Sequence, residues 1–332
     1  MDMSIHYTAG CDFANMLLEK RVGKRMQSQS NIKKGANEMN STGIRKKALA
    51  CAILFLTISF PLMAVWADEP TAPAPAAATP SDDVCKPTAT FSADILSQYI
   101  FRGVAESKGS AVIQPAATIT WNGFSATIWG NFDTDRNSNN IFLPLRSGVT
   151  KWSETDFTVS YTKEICPNFS ILVGNVYYGL QPPLESPYGQ DEDELFGGVS
   201  YAFPWFTVAF TAYGEVIHSV DEWFQLDLTK SIPVDCLCKG ATLDLGASFG
   251  YLILNHDNNL LSLAGNLGSY SDFHTCQLTA DIKFPINKYV SVSPKVGLWL
   301  PLTDSASDYL QANSLDSDSI HFYGGVNVTA TF

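Results

Sequence analysis

The chain of 332 residues carries 33 Asp and Glu against 21 Lys and Arg, a net charge of −12, and is 45% hydrophobic and 12% aromatic. That acidic balance argues against nucleic acid as a partner, because phosphate binding needs a basic surface. Mean hydropathy is +0.02, so any membrane location must come from how the apolar residues are patterned rather than from their number.

Arg45, Lys46 and Lys47 precede an apolar run from Ala48 to Ala67 that closes on Val65-Trp66-Ala67. A basic cluster, an apolar stretch and a small residue at the cut define a secretory signal peptide. Residues 1–67 are therefore read as an N-terminal extension and signal peptide, with Met39 as an alternative translation start. An uncleaved anchor is the rival, since the run reaches the ~20 residues of a spanning helix, but Pro61 and the cleavage site speak against it. Residues 1–67 hold nine of the 21 basic residues and four of the 33 acidic ones, leaving 12 against 29 and a net of −17. Residues 68–87, rich in Ala and Pro, lack periodicity and read as a semi-rigid periplasmic linker.

Residues 88–332 read as one all-β domain. The one uncharged run long enough for a spanning helix, Leu195 to Gly214, has Pro204 at its middle and reads as two strands. An alternation with period two defines twelve segments, near 89–102, 111–121, 124–132, 154–164, 169–179, 193–203, 206–217, 222–232, 241–254, 270–284, 289–300 and 320–332. No helical element is read between them. Connections after even-numbered segments are mostly tight, as at Asn122-Gly123, which favours a two-residue hairpin, and at Pro204-Trp205. Those after odd-numbered segments are mostly longer and polar. Short turns on one side, longer loops on the other and an even strand count are the pattern of an antiparallel transmembrane β-barrel of about 12 strands. A water-soluble sandwich is the alternative.

The same period assigns faces. Phe91, Ile95, Tyr99, Phe101, Phe124, Ile128, Phe132, Phe206, Val208, Phe210, Leu243, Leu245, Phe249 and Tyr251 are expected to face lipid. Asp94, Glu154, Asp156, Glu164, Glu194, Glu215, Asp227, Asp244 and Asp281 are expected to face the lumen, against Arg102, Lys283 and Lys295. A confined wall of that sign focuses a negative potential. Lys163 and Lys230 fall on the outer face, close enough to strand ends to reach headgroups.

Residues 97–103 read Ser-Gln-Tyr-Ile-Phe-Arg-Gly, and residues 123–131 read Gly-Phe-Ser-Ala-Thr-Ile-Trp-Gly-Asn. Together they resemble the opening of the Gcw_chp family of bacterial outer-membrane proteins, in which a Ser-x-Tyr-x-Phe-Arg-Gly strand end is followed by a Gly-Phe-x-x-x-x-Trp-Gly strand. The resemblance covers only the start of the barrel, and the loop Glu106 to Ser110 lacks the Gln usual there. It implies a barrel fold and an outer-membrane location and brings no activity with it. In this register Arg102 either binds an anionic solute at the pore mouth or pairs with a carboxylate.

Other chemical signals are thinner. Asp133, Asp135, Asn137 and Asn139 alternate like the oxygen ligands of a calcium loop, but Ser138 stands where the turn glycine belongs and the closing Glu is missing, so no metal or cofactor is expected. His274 and Cys276 share the spacing of the His-x-Ser pair in outer-membrane phospholipases, without an identifiable third member. Cys85, Cys166, Cys236 and Cys238 fall at the turn end, where an oxidising compartment permits disulfides among them with the connectivity open; a disulfide clamping the turn at Cys236 and Cys238 is expected, with redox or metal work as the alternative for that pair. Cys276 lies within a strand.

The closing segment alternates from His321 to Phe332, and its terminal aromatic resembles the insertion signal read by the barrel assembly machinery. The expected protein is a non-enzymatic outer-membrane barrel, in contact with lipid and that machinery, acting as a narrow passive channel for small solutes or cations or as a structural barrel. A lipid-active barrel enzyme and a surface binding or adhesion protein are the alternatives.

Overall fold

The computed structural model describes residues 86–135, 151–180, 191–217, 221–254 and 270–332. The signal peptide with its cut after Ala67, the alternative start at Met39, almost all of the linker, Cys85, Asn137, Ser138 and Asn139 lie outside the described residues.

The described chain forms β1 (Thr88–Leu96), β2 (Ile100–Phe101), β3 (Val104–Ala105), β4 (Val112–Trp121), β5 (Phe124–Asp133), β6 (Trp152–Cys166), β7 (Phe169–Leu180), β8 (Glu192–Ala202), β9 (Thr207–Glu215), β10 (Glu222–Pro233), β11 (Thr242–Leu254), β12 (Tyr270–Pro285), β13 (Val290–Pro301), helix α1 (Asp304–Asn313) and β14 (His321–Thr331). Twelve of these strands, β1 and β4 to β14, close into one antiparallel barrel in chain order, sealed by β1 pairing β14 from Thr90↔Thr331 to Leu96↔Gly325. Closure removes every sheet edge, which a strand surrounded by lipid requires.

Each turn-end connection has a local cause. Asn122 and Gly123 both take positive φ, 50° and 86°, the conformation of a type I′ hairpin turn. At Pro204 the chain reverses within four residues, with Phe203 N–H donating to the Phe206 carbonyl at 2.9 Å.

The outer wall is apolar. Phe91, Ile128, Phe157, Val173, Phe210 and Phe322 are exposed side chains on its strands, while the alternating inward positions are polar or packed. A closed barrel with an apolar belt outside and a polar lumen spans a membrane. Among the described residues no helix is long and apolar enough to cross one.

Two expectations need correction here. The first strand ends at Leu96, not near residue 102, and Tyr99 and Phe101 do not face lipid: Tyr99 is fully buried, and Phe101 packs edge-on against Tyr178 at 5.8 Å. The alternation of Tyr99, Phe101 and their neighbours is that of a second, two-residue ladder, β2 with β3, turned into the barrel. The segment before β14 also contains a helix, α1, where only a loop was expected. Its sequence is mostly polar, and its two buried residues, Ala306 and Leu310, are too few to register as a period of 3.6.

Candidate functional site: an acidic lumen beneath a plug

The lumen is built from the wall inward. Glu154, Asp156, Glu194, Glu215, Asp227, Asp244, Asp281 and Lys295 are all buried. Lys295 Nζ lies 2.7 Å from Asp94 Oδ1 and 4.0 Å from Asp281 Oδ2, placing all three around one point of the lumen. Asn327 Nδ2 donates to Asp94 Oδ2 at 2.9 Å. Asp227 accepts from Gln225 Nε2 at 3.0 Å and from Ser248 Oγ at 2.6 Å. Asp244 accepts from Thr242 Oγ1 at 2.9 Å and from Ser231. Glu215 Oε1 accepts from Ile217 N–H at 2.9 Å, capping its own strand end.

Two of the candidate lumen charges sit elsewhere. Glu164 is exposed and accepts from Asn168 N–H at 3.1 Å in the β6–β7 turn. Lys283 is exposed near the turn-side end of β12, opposite Thr242. Both have the inward parity, but their strands run past the end of the enclosed lumen.

Across the opposite end lies a plug. Between β1 and β4 the chain turns inward as the β2–β3 hairpin, whose two turn residues, Arg102 and Gly103, have φ of 47° and 90°. Positive φ is unfavourable for Arg, and what holds it is an ion pair reaching the far wall. Arg102 Nη1 donates to Glu194 Oε1 at 2.8 Å and Nη2 to Glu194 Oε2 at 2.7 Å, with both side chains largely buried. The fork-to-fork geometry is the strongest form of this pair. Glu194 is on β8, which stands across the barrel from β1. The guanidinium also lies over the rings of Phe101, Tyr213 and Trp223 at 4.9, 5.2 and 5.2 Å, and Tyr178 OH donates to Glu194 Oε2 at 3.1 Å. Gly250 makes room for this cage: a Cβ there would sit 1.9 Å from the Trp223 ring.

Helix α1 completes the plug. Thr303 caps it, accepting from Ala306 N–H at 3.1 Å, and Leu310 and Ala306 are fully buried. Ser314 Oγ accepts from Ala105 N–H at 3.1 Å, and Leu315 N–H donates to the Ala105 carbonyl at 2.9 Å, so hairpin and helix are tied to each other. At the hairpin tip, a Cβ on Gly103 would meet Thr275 Cγ2 at 2.5 Å and Leu310 at 3.2 Å. Burial, with carboxylates nearby, pushes the Tyr309 phenol above its ordinary range. The same holds for Tyr99, where burial comes first and the charges of Glu154 and Asp156 follow.

The remaining candidates fall apart chemically. His274 donates to or accepts from Tyr270 OH at 2.8 Å and is enclosed by Trp223 and Tyr309. A register shift between Phe249 and Tyr251 falls opposite this stretch, so Cys276 pairs alongside Phe249 and Leu300 on the outer parity while His274 points into the lumen. The two do not share a face. Asp133 Oδ1 accepts from Asp135 N–H at 3.0 Å, an ordinary turn. Cys166, Cys236 and Cys238 are free thiols, and the expected clamp is instead a set of hydrogen bonds: Val234 N–H to the Ala241 carbonyl at 2.8 Å and Gly240 N–H to Asp235 Oδ1 at 2.7 Å. Among the described residues no group of three or more His, Cys, Asp or Glu could hold a metal.

Sequence reasoning missed Trp223, Tyr213, Tyr178 and Tyr309. Trp223 was within reach, because it precedes Gln225 and Asp227 on the inward parity of β10; Tyr309 carried no signal.

No family profile matches the chain, and no curated protein matches it. Among solved structures it is similar to the KdgM porin, at 11% identity over 73% of this chain and 99% of that one, with a TM-score of 0.44. An outer-membrane channel from Pseudomonas putida F1 matches at 9% identity over 77% of this chain and 100% of that one, with a TM-score of 0.38. The KdgM porin in complex with disordered oligogalacturonate matches at 9% identity over 74% and 99%, with a TM-score of 0.41. At these scores the likenesses carry no argument, and the barrel assignment rests on the strand ladders.

Proposed function

We propose that this protein is a bacterial outer-membrane barrel that acts as a narrow passive channel preferring cations, with the β2–β3 hairpin and α1 restricting passage. The observation that carries this reading is the charge of the lumen. Asp133, Glu154, Asp156, Glu194, Glu215, Asp227, Asp244 and Asp281 are buried acids, against Arg102 and Lys295 as buried bases, among the described residues. Charges of one sign on a low-dielectric wall repel anions and concentrate cations. Twelve strands enclose more space than the eight of a side-chain-filled barrel and less than the 16 to 18 of an open porin, which suits a narrow path. The resemblance to Gcw_chp proteins agrees in fold and location and adds no solute.

A second reading, a structural barrel that conducts nothing, is favoured by the packing of the plug. Single-channel recording on refolded protein separates the two, with reversal potentials read across a salt gradient. Steps with a cation-selective reversal potential are expected, in wild type or in a variant with a loosened plug. Anion selectivity would overturn the charge argument, and silence from both proteins would leave the structural barrel.

A further inference from the structure

The partner that Arg102 meets is built by the far wall. Glu194 is the third residue of β8, Tyr178 and Tyr213 stand third from the ends of β7 and β9, and Trp223 is the second residue of β10. All four therefore lie at one mouth of the barrel, where the chain passes from β7 to β8 and from β9 to β10. They hold the guanidinium as a receptor holds a ligand. Glu194 accepts from both of its forks at 2.8 and 2.7 Å, the rings of Tyr213 and Trp223 lie 5.2 Å away, and the Tyr178 hydroxyl fixes the carboxylate. A carboxylate fork among aromatic faces is the chemistry that selects a guanidinium over an ammonium. Arg102 reaches this cage on a strained tether, with φ of 47° at its own backbone. Glu192 shares the inward face of β8 with Glu194, and Glu215 pairs opposite Glu194 on β9, so three carboxylates attract cations to a mouth that holds one guanidinium. Beside the cage His274 is fully buried and edge-on to Trp223 at 5.9 Å, and its Nε2 has no hydrogen-bond partner. The docked hairpin thus leaves a polar atom next to the cage unmet.

We propose that this cage recognises a small solute bearing a guanidinium group, and that such a solute opens the plug by displacing Arg102 from Glu194. Arg102 is then a built-in competitor that keeps the mouth shut until the solute arrives. The free solute carries none of the hairpin's backbone strain, but it competes with a tethered group whose effective concentration is on the order of millimolar. Displacement therefore belongs to the millimolar range and above. The site deepens the cation-preferring reading by naming a solute class; passage of that solute rests on that reading, while its binding does not.

The test uses the full mature barrel in detergent micelles, with ethylguanidinium as the probe and ethylammonium, which has the charge without the fork, as its control at equal ionic strength. Amide hydrogen exchange is read by mass spectrometry over residues 97–107, where the docked hairpin bonds Ala105 N–H to Ser314 Oγ and Glu106 N–H to the Tyr99 carbonyl. Ethylguanidinium is expected to speed exchange there several-fold in wild type, and ethylammonium to leave it unchanged. In Arg102→Ala the cage lacks its own guanidinium, and ethylguanidinium is expected to raise the temperature at which compact gel migration is lost, increasingly with concentration. Adding Glu194→Gln is expected to remove that rise. If Arg102→Ala does not fold, exchange in wild type decides alone. Equal exchange in the two salts would overturn the proposal, even with a rise in Arg102→Ala, because the solute would then fill the cage without displacing Arg102. Faster exchange with no rise in a folded Arg102→Ala would overturn it too, by placing the effect outside the cage. Bilayer recording separates this site from the channel: ethylguanidinium-specific exchange in a silent barrel keeps the site and removes conduction, whereas cation-selective steps with exchange indifferent to the probe do the reverse.

Discussion

Arg102 is the residue on which the plug turns. It occupies a left-handed conformation that costs about 1–2 kcal/mol for an ordinary side chain, and it is kept there by a bidentate bond to Glu194 and by three aromatic rings. Removing one partner of a buried pair leaves the other charge stranded, which costs on the order of 3–5 kcal/mol. Arg102→Ala is therefore expected to loosen the hairpin from β8 and to produce larger or more frequent conductance steps than wild type. Arg102→Lys keeps the charge but loses the fork, and its conductance is expected to fall between the two. Bilayer recording of the three proteins under one salt condition checks the order, and identical traces would show that the plug does not hang on this pair.

At the scale of elements, the barrel seam is the place where the first and last strands of the barrel meet. Phe332 extends the β14 ladder onto β1, donating its N–H to the Ala89 carbonyl at 2.9 Å and accepting from Ala89 N–H at 3.1 Å. Its exposed ring stacks on Tyr289 at 5.5 Å and meets Phe91 edge-on at 6.4 Å. Two main-chain bonds and an exposed ring contribute only about 1–3 kcal/mol to a finished barrel. Deleting Phe332 is nevertheless expected to lower outer-membrane yield severely, with the variant found in the periplasm or degraded, because we propose that the terminal aromatic serves as the insertion signal. Cell fractionation with heat-modifiable gel migration reads this out; normal yield would confine Phe332 to its packing role.

At the scale of the whole molecule, the apolar belt and the acidic lumen divide one sequence between two media. The chain that enters the membrane is expected to begin at Asp68, after removal of residues 1–67. N-terminal sequencing of membrane-extracted protein checks this, and residues upstream of Ala67 in the extract would refute it. The resulting net of −17 falls on a chain whose lumen already buries most of its inward acids, which is why the interior rather than the outer wall carries the electrostatic character.

The sequence by itself determined the twelve-stranded barrel, because a period of two between unlike media repeats over every strand and each tight turn has a local signature, as at Asn122-Gly123. It also placed Glu194, Asp227, Asp244 and Lys295 on inward parities, since parity is a local property of an extended chain. Tertiary structure alone decided the plug. Residues 97–103 alternate as a strand would, and nothing local says that Arg102 will turn back through the lumen to meet Glu194, a partner 92 residues away. Helix α1 was illegible for the same reason: its short apolar face is completed by β3, β12 and the hairpin tip, not by its own sequence. The pairing of His274 with Cys276 failed because a one-residue register shift inverts parity, and a shift of that kind is set by the neighbouring strand.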